Sequence, residues 1–563
     1  MFVQQACGSG HRAYGSSESI PAVHRRSSIL TLVSFDYRLK AFGSTVTQEG
    51  SMKKLCLIGL PVIAVFVAGT YALITEAQTT PSKIDVVRAA TTMFELAAPS
   101  NYTKQARLSV TPSVGGFDNH VSINGNTAVL YSGAGVYVYT RSGELWSKQA
   151  VLVPSDGVPV MGFSRTSVAF DGDTVVIGGS AATINSNANQ GAAYVFVRND
   201  TTWSEQQRLI ASDGASGDQF GLSVAINGNS IIVGASVDDV GPNKDQGSAY
   251  IFVRQGTTWT QQARLVADDG ATNHFFGDVV AINGDTAVVT RGYNQAIPNR
   301  GAYVFVRSGT TWSQQQKLSV CEPSGNGGVQ CNFGTSISIA GDNLAVGNSF
   351  LNVGGNLAQG GIYVFTRSGT LWSQQQRLTA SDGQADDNFG NAVALEDNTI
   401  IVGSSALNVR SGAAYLFTRT LATWTQQQKF QEPSPNVSNV FGYSVSISGN
   451  TFIVATPRDQ GLPGPNAIGA AYIYTPPAPV AVSVSGRVTT PFGIGLRNAS
   501  VFITNSQGVR RTATTSSFGF YSFDNVLTGD TYTLGVNSKR YRFQPQTLPV
   551  NNDLPNVDFV VLE

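Results

Sequence analysis

The sequence predicts an all-β chain: a seven-bladed β-propeller whose N-terminal strand closes the last blade, followed by a small β-sandwich. Three observations predict it. All six tryptophans, Trp146, Trp203, Trp259, Trp312, Trp372 and Trp424, fall at one position of a long internal repeat. A tyrosine after a Gly-Ala-type turn recurs at Tyr137, Tyr194, Tyr250, Tyr303, Tyr363, Tyr415 and Tyr472, which makes seven copies. Each copy divides into four short runs of strand type, and none shows helical periodicity.

The copy that starts at Phe220 shows the unit. FGLSVAI alternates, Asn227-Gly228 turns, and SIIVGA is a β-branched run. After a loop, SAYIFVR alternates, Gly256 turns, and WTQQARLVA supplies a fourth strand. Asn-Gly between alternating runs is a strong hairpin signal. Four antiparallel strands repeated radially make propeller blades, each burying its neighbour's faces. The seventh copy ends at AAYIYTPPAP with no fourth strand after Tyr472, while YTKQARL at Tyr102–Leu108 matches WTQQARL at Trp259–Leu265. The N-terminal segment therefore supplies the missing outer strand and closes the ring. Tyr102 and the six tryptophans are expected to be structural members of the blades.

The propeller is expected over 99–477, a stiff Pro-rich linker over 478–481, and the sandwich over 482–563, where short alternating strands are separated by Gly, Asn and Pro turns. Before the propeller, 79–98 reads as linker. Met52-Lys53-Lys54 followed by the apolar run Leu55–Ile74 makes 52–78 a signal peptide or signal anchor. Residues 1–51 are either a start assigned too early, with Met52 the true start, or a cytoplasmic tail. Basic residues precede the apolar run, so the remainder is expected outside the cytoplasm, secreted or at the cell surface or periplasm.

Lys+Arg and Asp+Glu both number 36, and no basic field is present to hold nucleic acid. Cys321 and Cys331 flank a Gly-rich loop, and in an oxidising compartment a disulfide between them is expected. Free thiols or half of a metal site are the alternatives, and no His or further Cys lies near in sequence.

The units resemble FG-GAP repeats, the propeller repeats of integrin α-chain heads. FG stands at Phe220-Gly221, Phe276-Gly277, Phe333-Gly334, Phe389-Gly390 and Phe441-Gly442, and the GAP position reads Gly234-Ala235-Ser236. Integrin-type copies often carry a calcium loop between the first two strands of a blade. Here that place holds tight turns such as Asn227-Gly228, with too few oxygens for a calcium shell. No cofactor is expected. The run Ser517–Phe523, the run Leu527–Tyr532, and Tyr541-Arg542-Phe543-Gln544-Pro545 are similar to the carboxypeptidase regulatory-like family, a transthyretin-like accessory sandwich without peptidase chemistry.

Three sets of recurring residues invite a functional reading. The tryptophans would stack sugars or, as regular recurrence favours, pack blades. Acids before the FG pair (Asp213, Asp218, Asp268, Asp269, Asp382, Asp386, Asp387) would be turn formers or weak cation ligands. Arg141, Arg198, Arg254, Arg307, Arg367 and Arg419 would bind an anionic polymer or form a ladder with strand neighbours. Catalytic motifs are missing: no H-E-x-x-H, no G-x-S-x-G, and only His120 and His274 in the exported part. The expectation is a non-catalytic, monomeric binding or adhesion protein, whose propeller face takes an extracellular or envelope protein or polysaccharide. The membrane would be touched only through an uncleaved N-terminal segment. The alternatives are a polysaccharide hydrolase or lyase on a propeller scaffold, and a purely architectural envelope protein. The longer loops Val237–Gln246, Asn326–Val329 and Asp459–Asn466 are where specificity is expected.

Overall fold

The computed structural model describes residues 102–109, 120–132, 135–157, 168–292, 300–323, 329–330, 333–406, 411–432, 440–457 and 469–562, and the backbone of 62–67 and 70–75. Met1–Thr91 and Thr92–Glu563 form two compact units. In the first, Val62–Val67 pairs antiparallel with Thr70–Thr75 inside the apolar run. Among the described residues no helix is long and apolar enough to cross a membrane.

In the second unit the described residues between Tyr102 and Thr475 form seven four-stranded antiparallel sheets, blades 1 to 7, whose innermost strands begin at Val121, Val168, Ser223, Phe276, Ile337, Phe389 and Val445. Blade 3 is representative: Ser223–Asn227, Ser230–Ala235, Ser248–Gln255 and Thr258–Leu265, from the channel outwards. Its second strand is wholly buried, because both faces are covered by neighbouring sheets. The innermost strands of the seven sheets contact one another in a closed cycle, with Val445–Ser448 against Val121–Asn124 as the last link.

The ring closes as the sequence requires. Thr103–Ser109 pairs antiparallel with Ala470–Thr475, placing Arg107 opposite Tyr472. Arg264 and Tyr250 occupy the same register in blade 3. A second closure lies at the inner rim. Ser444, Ser446 and Ser448 of blade 7 accept hydrogen bonds through Oγ from the backbone N–H of Val121, Ile123 and Gly125 of blade 1, at 3.2, 3.2 and 2.9 Å. Alternation places all three hydroxyls on one side of their strand, so the side chains extend a ladder between sheets.

The FG and GAP glycines are halves of one contact. A Cβ on Gly234 of blade 3 would lie 2.1 Å from the Gly277 carbonyl oxygen of blade 4, and one on Gly178 would lie 2.0 Å from that of Gly221. Only glycine permits this approach of backbones. The FG phenylalanine is buried inside its own blade. Phe220 meets Tyr250 and Phe252 edge-on at centroid distances of 5.5 and 5.9 Å, while its N–H bonds the Gln190 carbonyl of blade 2 at 2.9 Å.

Val484, Val501, Tyr521, Leu534 and Phe559 share the separate core of the C-terminal β domain. One sheet holds Ala481–Thr489 between Phe520–Leu527 and Phe559–Val560. The other runs Arg510–Thr514, Ser500–Thr504, Asp530–Asn537, Gln546–Val550.

Candidate functional site: the loop face of the propeller

The two faces of the propeller are unlike. First and second strands, and third and fourth strands, are joined by tight turns such as Asn227–Ser230 and Gln255–Thr258. These turns share one face. Every second-to-third connection and every connection between blades begins and ends on the other face. Of the longer segments, Val237–Gln246 is described and lies there; most of Asn326–Val329 and all of Asp459–Asn466 lie outside the described residues. Next to the Asn326–Val329 segment, a short hairpin pairs Glu322 with Gln330 and Pro323 with Val329. Cys321 precedes that hairpin, and Cys331 lies outside the described residues.

At the channel mouth on this face is a cavity of about 210 Å³ lined by blades 4 to 7 and by His120. Its described lining includes Ser349, Phe350, Asn388, Ser405 and Tyr443, and no carboxylate, Lys or Arg. Asn388 and Asn391 are held in place: Asn388 Nδ2 donates to the Ser349 carbonyl at 3.2 Å, and Asn391 Nδ2 to the Tyr443 carbonyl at 2.9 Å.

Blade 4 departs from the repeat beside this cavity. Thr290 and Arg291 stand where blade 3 has Gly234 and Ala235. Arg291 and Arg300 are both buried. Arg291 lies 3.2 Å from both ring nitrogens of His274, and Arg300 is ion-paired to Asp278 at 3.3 Å. His274 Nδ1 accepts the Ala271 N–H at 3.1 Å. In blade 5, Asn348 fills the Ala235 position, buried, with neither amide atom hydrogen-bonded.

The recurring residues are latches between and within blades. Each tryptophan is the second residue of an outer strand, stacked under the arginine across the pair at 5.1–5.6 Å. Its Nε1 donates to a glutamine of the preceding blade, as Trp259 does to Gln206 at 3.0 Å and Trp146 to Gln105 at 3.1 Å. The same arginines are held by turn residues, as Arg198 is by Asp173 at 2.7 Å, and Arg198 also reaches Thr127 of the preceding blade at 2.8 Å. Tyr102 takes the tryptophan's place at the closing strand. Its N–H and carbonyl clasp the Gln428 amide at 2.9 and 3.0 Å.

The loop acids are also occupied. Asp156 binds Tyr194 and Arg208, Asp269 binds Tyr303 and Lys317, Glu322 binds Tyr363 and Arg377, and Asp382 binds Tyr415 and Lys429. Burial favours the neutral form of Asp269 and Asp382, but hydrogen bonds from the lysine and tyrosine outweigh it and hold both carboxyls below their ordinary range. Asp213 pairs with Arg264 at 3.0 Å. Asp218 and Asp387 cap their own turns through the N–H of Ala215 and Gln384, at 2.5 and 2.7 Å. Among the described residues no three His, Cys, Asp or Glu converge as a metal site requires.

The radial sheets and their latches define a β-propeller repeat protein. The FG-GAP repeat family matches residues 146–196, 203–252, 259–305, 372–417 and 424–474, and the carboxypeptidase regulatory-like domain family matches 483–562. The chain thus carries five FG-GAP repeats and a C-terminal carboxypeptidase regulatory-like domain. Together these are the marks of an adhesion-like or binding protein, and FG-GAP repeats go with an extracellular or surface location. No curated protein matches the chain. Among solved structures, a chain titled "Crystal Structure of Mitotic Checkpoint Complex" aligns at 12% identity and a TM-score of 0.41, over 68% of this chain and 98% of that one.

Each matched repeat begins at the outer-strand tryptophan and ends in the third strand of the next blade. The repeat frame is therefore offset from the blade by one strand. The first such frame begins at Tyr102, whose outer strand has only the last blade to join.

Proposed function

We propose that this is an exported, non-catalytic binding protein of the adhesion type, whose loop face takes an extracellular or envelope protein or polysaccharide. One observation carries the reading: the second-to-third and blade-to-blade connections, among them the described segment Val237–Gln246, share one face with the channel-mouth cavity, while the opposite face carries tight turns around a recess of about 400 Å³ lined by Asn124, Arg141, Asp173 and Arg198. A rigid ring presenting variable loops is a common arrangement for recognition. The cavity lining offers hydroxyls, amides, the His120 imidazole and the aromatic rings of Phe350 and Tyr443, with no carboxylate, Lys or Arg. That chemistry suits a neutral polyhydroxylated group, such as the sugar units of a polysaccharide, better than a charged one.

The enzyme reading finds less support. Glycoside hydrolysis needs two carboxyl groups facing one bond. Of the loop carboxylates described above, four bind a tyrosine and a cation, Asp213 pairs with Arg264, and Asp218 and Asp387 cap their own turns. Neither calcium nor another cofactor is part of the proposal.

The test is a glycan and envelope-protein binding screen with the wild-type chain and two variants. Ser405→Trp fills the cavity, and Asn229→Ala alters the opposite face. Loss of binding in S405W with retention in N229A is expected. The reverse pattern would remove the loop face from consideration.

A further inference from the structure

The C-terminal β domain carries an apolar patch that its own core does not use. Phe492, Ile494, Phe518 and Phe520 are 90, 65, 69 and 56% exposed. They flank Gly493 and Gly519, the left-handed residues of two turns with φ of 76° and 86°. The turns touch: a Cβ on Gly495 would lie 2.0 Å from the Phe518 carbonyl oxygen, and one on Gly519 would lie 2.8 Å from Gly495 Cα. Four large apolar side chains are thus gathered at one end of the domain. A soluble domain seldom leaves such a group in water without a partner.

The side chain in contact with the patch is cationic. Arg487 lies 5.1 Å from the Phe520 ring centroid and donates through Nε to the Phe518 carbonyl at 2.9 Å. Arg497 ends the first turn in sequence, while Arg510, 3.6 Å from the Phe502 ring centroid, and Arg511, which donates to the Asp524 and Asn525 carbonyls, belong to the other sheet. From Gln460 to Phe523 the chain holds no Asp or Glu, and Asp524 follows on the Phe520–Leu527 strand. Asp558, from the end of the domain, is the carboxylate nearest in bonding. Its Oδ1 accepts the Arg487 backbone N–H at 2.7 Å, which leaves the guanidinium on the aromatic side.

We infer that Phe492, Ile494, Phe518 and Phe520, with Arg487 beside them, dock the C-terminal domain on an anionic lipid surface. The patch lies on turn tips, not on a flat sheet face. Such tips enter the boundary between headgroups and acyl chains, where aromatic rings and aliphatic side chains are buried while arginines remain among lipid phosphates. Apolar contact and basic charge together give the two signals that stable but reversible membrane attachment needs. The inference stands independently of the ligand of the propeller face.

The test uses the full-length chain with Phe492→Trp, compared with the unsubstituted chain so that the six native tryptophans and the N-terminal segment cancel. Phosphatidylcholine–phosphatidylglycerol vesicles should shift the added emission to the blue, and lipids brominated on the acyl chains should quench it. Both effects should weaken in pure phosphatidylcholine and in high salt. Phe518→Ser in the same background should lower the vesicle affinity on the order of tenfold, the loss expected for withdrawing one aromatic side chain from an apolar phase. Because Phe518 is exposed, an unchanged thermal midpoint will show that the variant is folded. No added shift and no quenching with anionic vesicles overturns the inference. So does a blue shift that grows with protein concentration in the absence of lipid, which would make a second copy of the chain the occupant.

Discussion

Asp218 and His274 occupy the same place in successive repeats, and they titrate in opposite directions. Asp218 caps its turn from a buried position, and burial pushes its carboxyl up to about 6. A carboxyl raised on folding contributes its full stability below the unfolded value near 3.9 and loses it as pH rises through about 6. Asp218→Asn keeps an acceptor for Ala215 and removes the charge. It should raise stability at pH 8 by about 1 kcal/mol and leave it unchanged near pH 4, as read by urea unfolding. In blade 4 the acceptor is His274 Nδ1, which must be unprotonated to receive the Ala271 N–H. Burial and the Arg291 charge both lower the imidazole's pKa, with Lys317 acting in the same sense and Asp269 opposing. A base lowered on folding stabilises above its unfolded value near 6.5 and loses that contribution as pH falls below it. Stability should therefore drop between about pH 7.5 and 5, and His274→Asn should flatten that part of the profile. The exchange of Asp for His at one repeat position is visible in the sequence. The buried arginine beside the ring is not, because Arg291 ends a strand and His274 lies in the loop before the preceding one.

The outer strands show how a run that looks like low complexity can be a set of assigned contacts. After each tryptophan come residues such as Thr-Gln-Gln-Gln or Ser-Gln-Gln-Gln. The first glutamine of the run receives a loop N–H of the preceding junction, as Gln426 receives that of Ser381 at 3.0 Å. The second takes the next blade's indole N–H, as Gln375 takes that of Trp424 at 3.1 Å. The third clasps that tryptophan's backbone: Gln376 donates to the Trp424 carbonyl and accepts its N–H at 2.9 and 2.8 Å. Where alanine stands third, at Ala106, Ala150 and Ala263, a side-chain clasp is impossible. Gln376→Ala should cost about 1–2 kcal/mol in chemical unfolding, since it strips two hydrogen bonds from one buried junction. The recurring tryptophans were legible in the sequence as architecture, but the duties of the glutamines were not. Their partners lie in the next repeat, and position within one repeat carries no information about the junction.

The propeller as a whole was legible because one repeat, copied, specifies both a sheet and the surface that covers it. The loop face was less so. Its cavity draws on residues of blades 1 and 4 to 7, with no spacing in common. Deleting Tyr102–Ser109 should leave Ala470–Thr475 as an uncovered edge and produce association on size exclusion together with new protease sensitivity at blade 7. Replacing Cys321 and Cys331 by serine tests the proposed disulfide. Intact-mass measurement before and after reduction should show the bond in the wild-type chain, and the variant should gain proteolytic cleavage in the segment between them.

The strand at Thr103–Ser109 is the first of the propeller to be synthesised, and its partner at Ala470–Thr475 is the last. Six sheets can stack as they emerge, but the first strand must wait, unpaired, until the last propeller strand has been made. Its sequence suits that delay: TKQARLS buries only Leu108 fully and carries two cations. A polar first strand resists sticking to other chains while its proper neighbour is still being delivered.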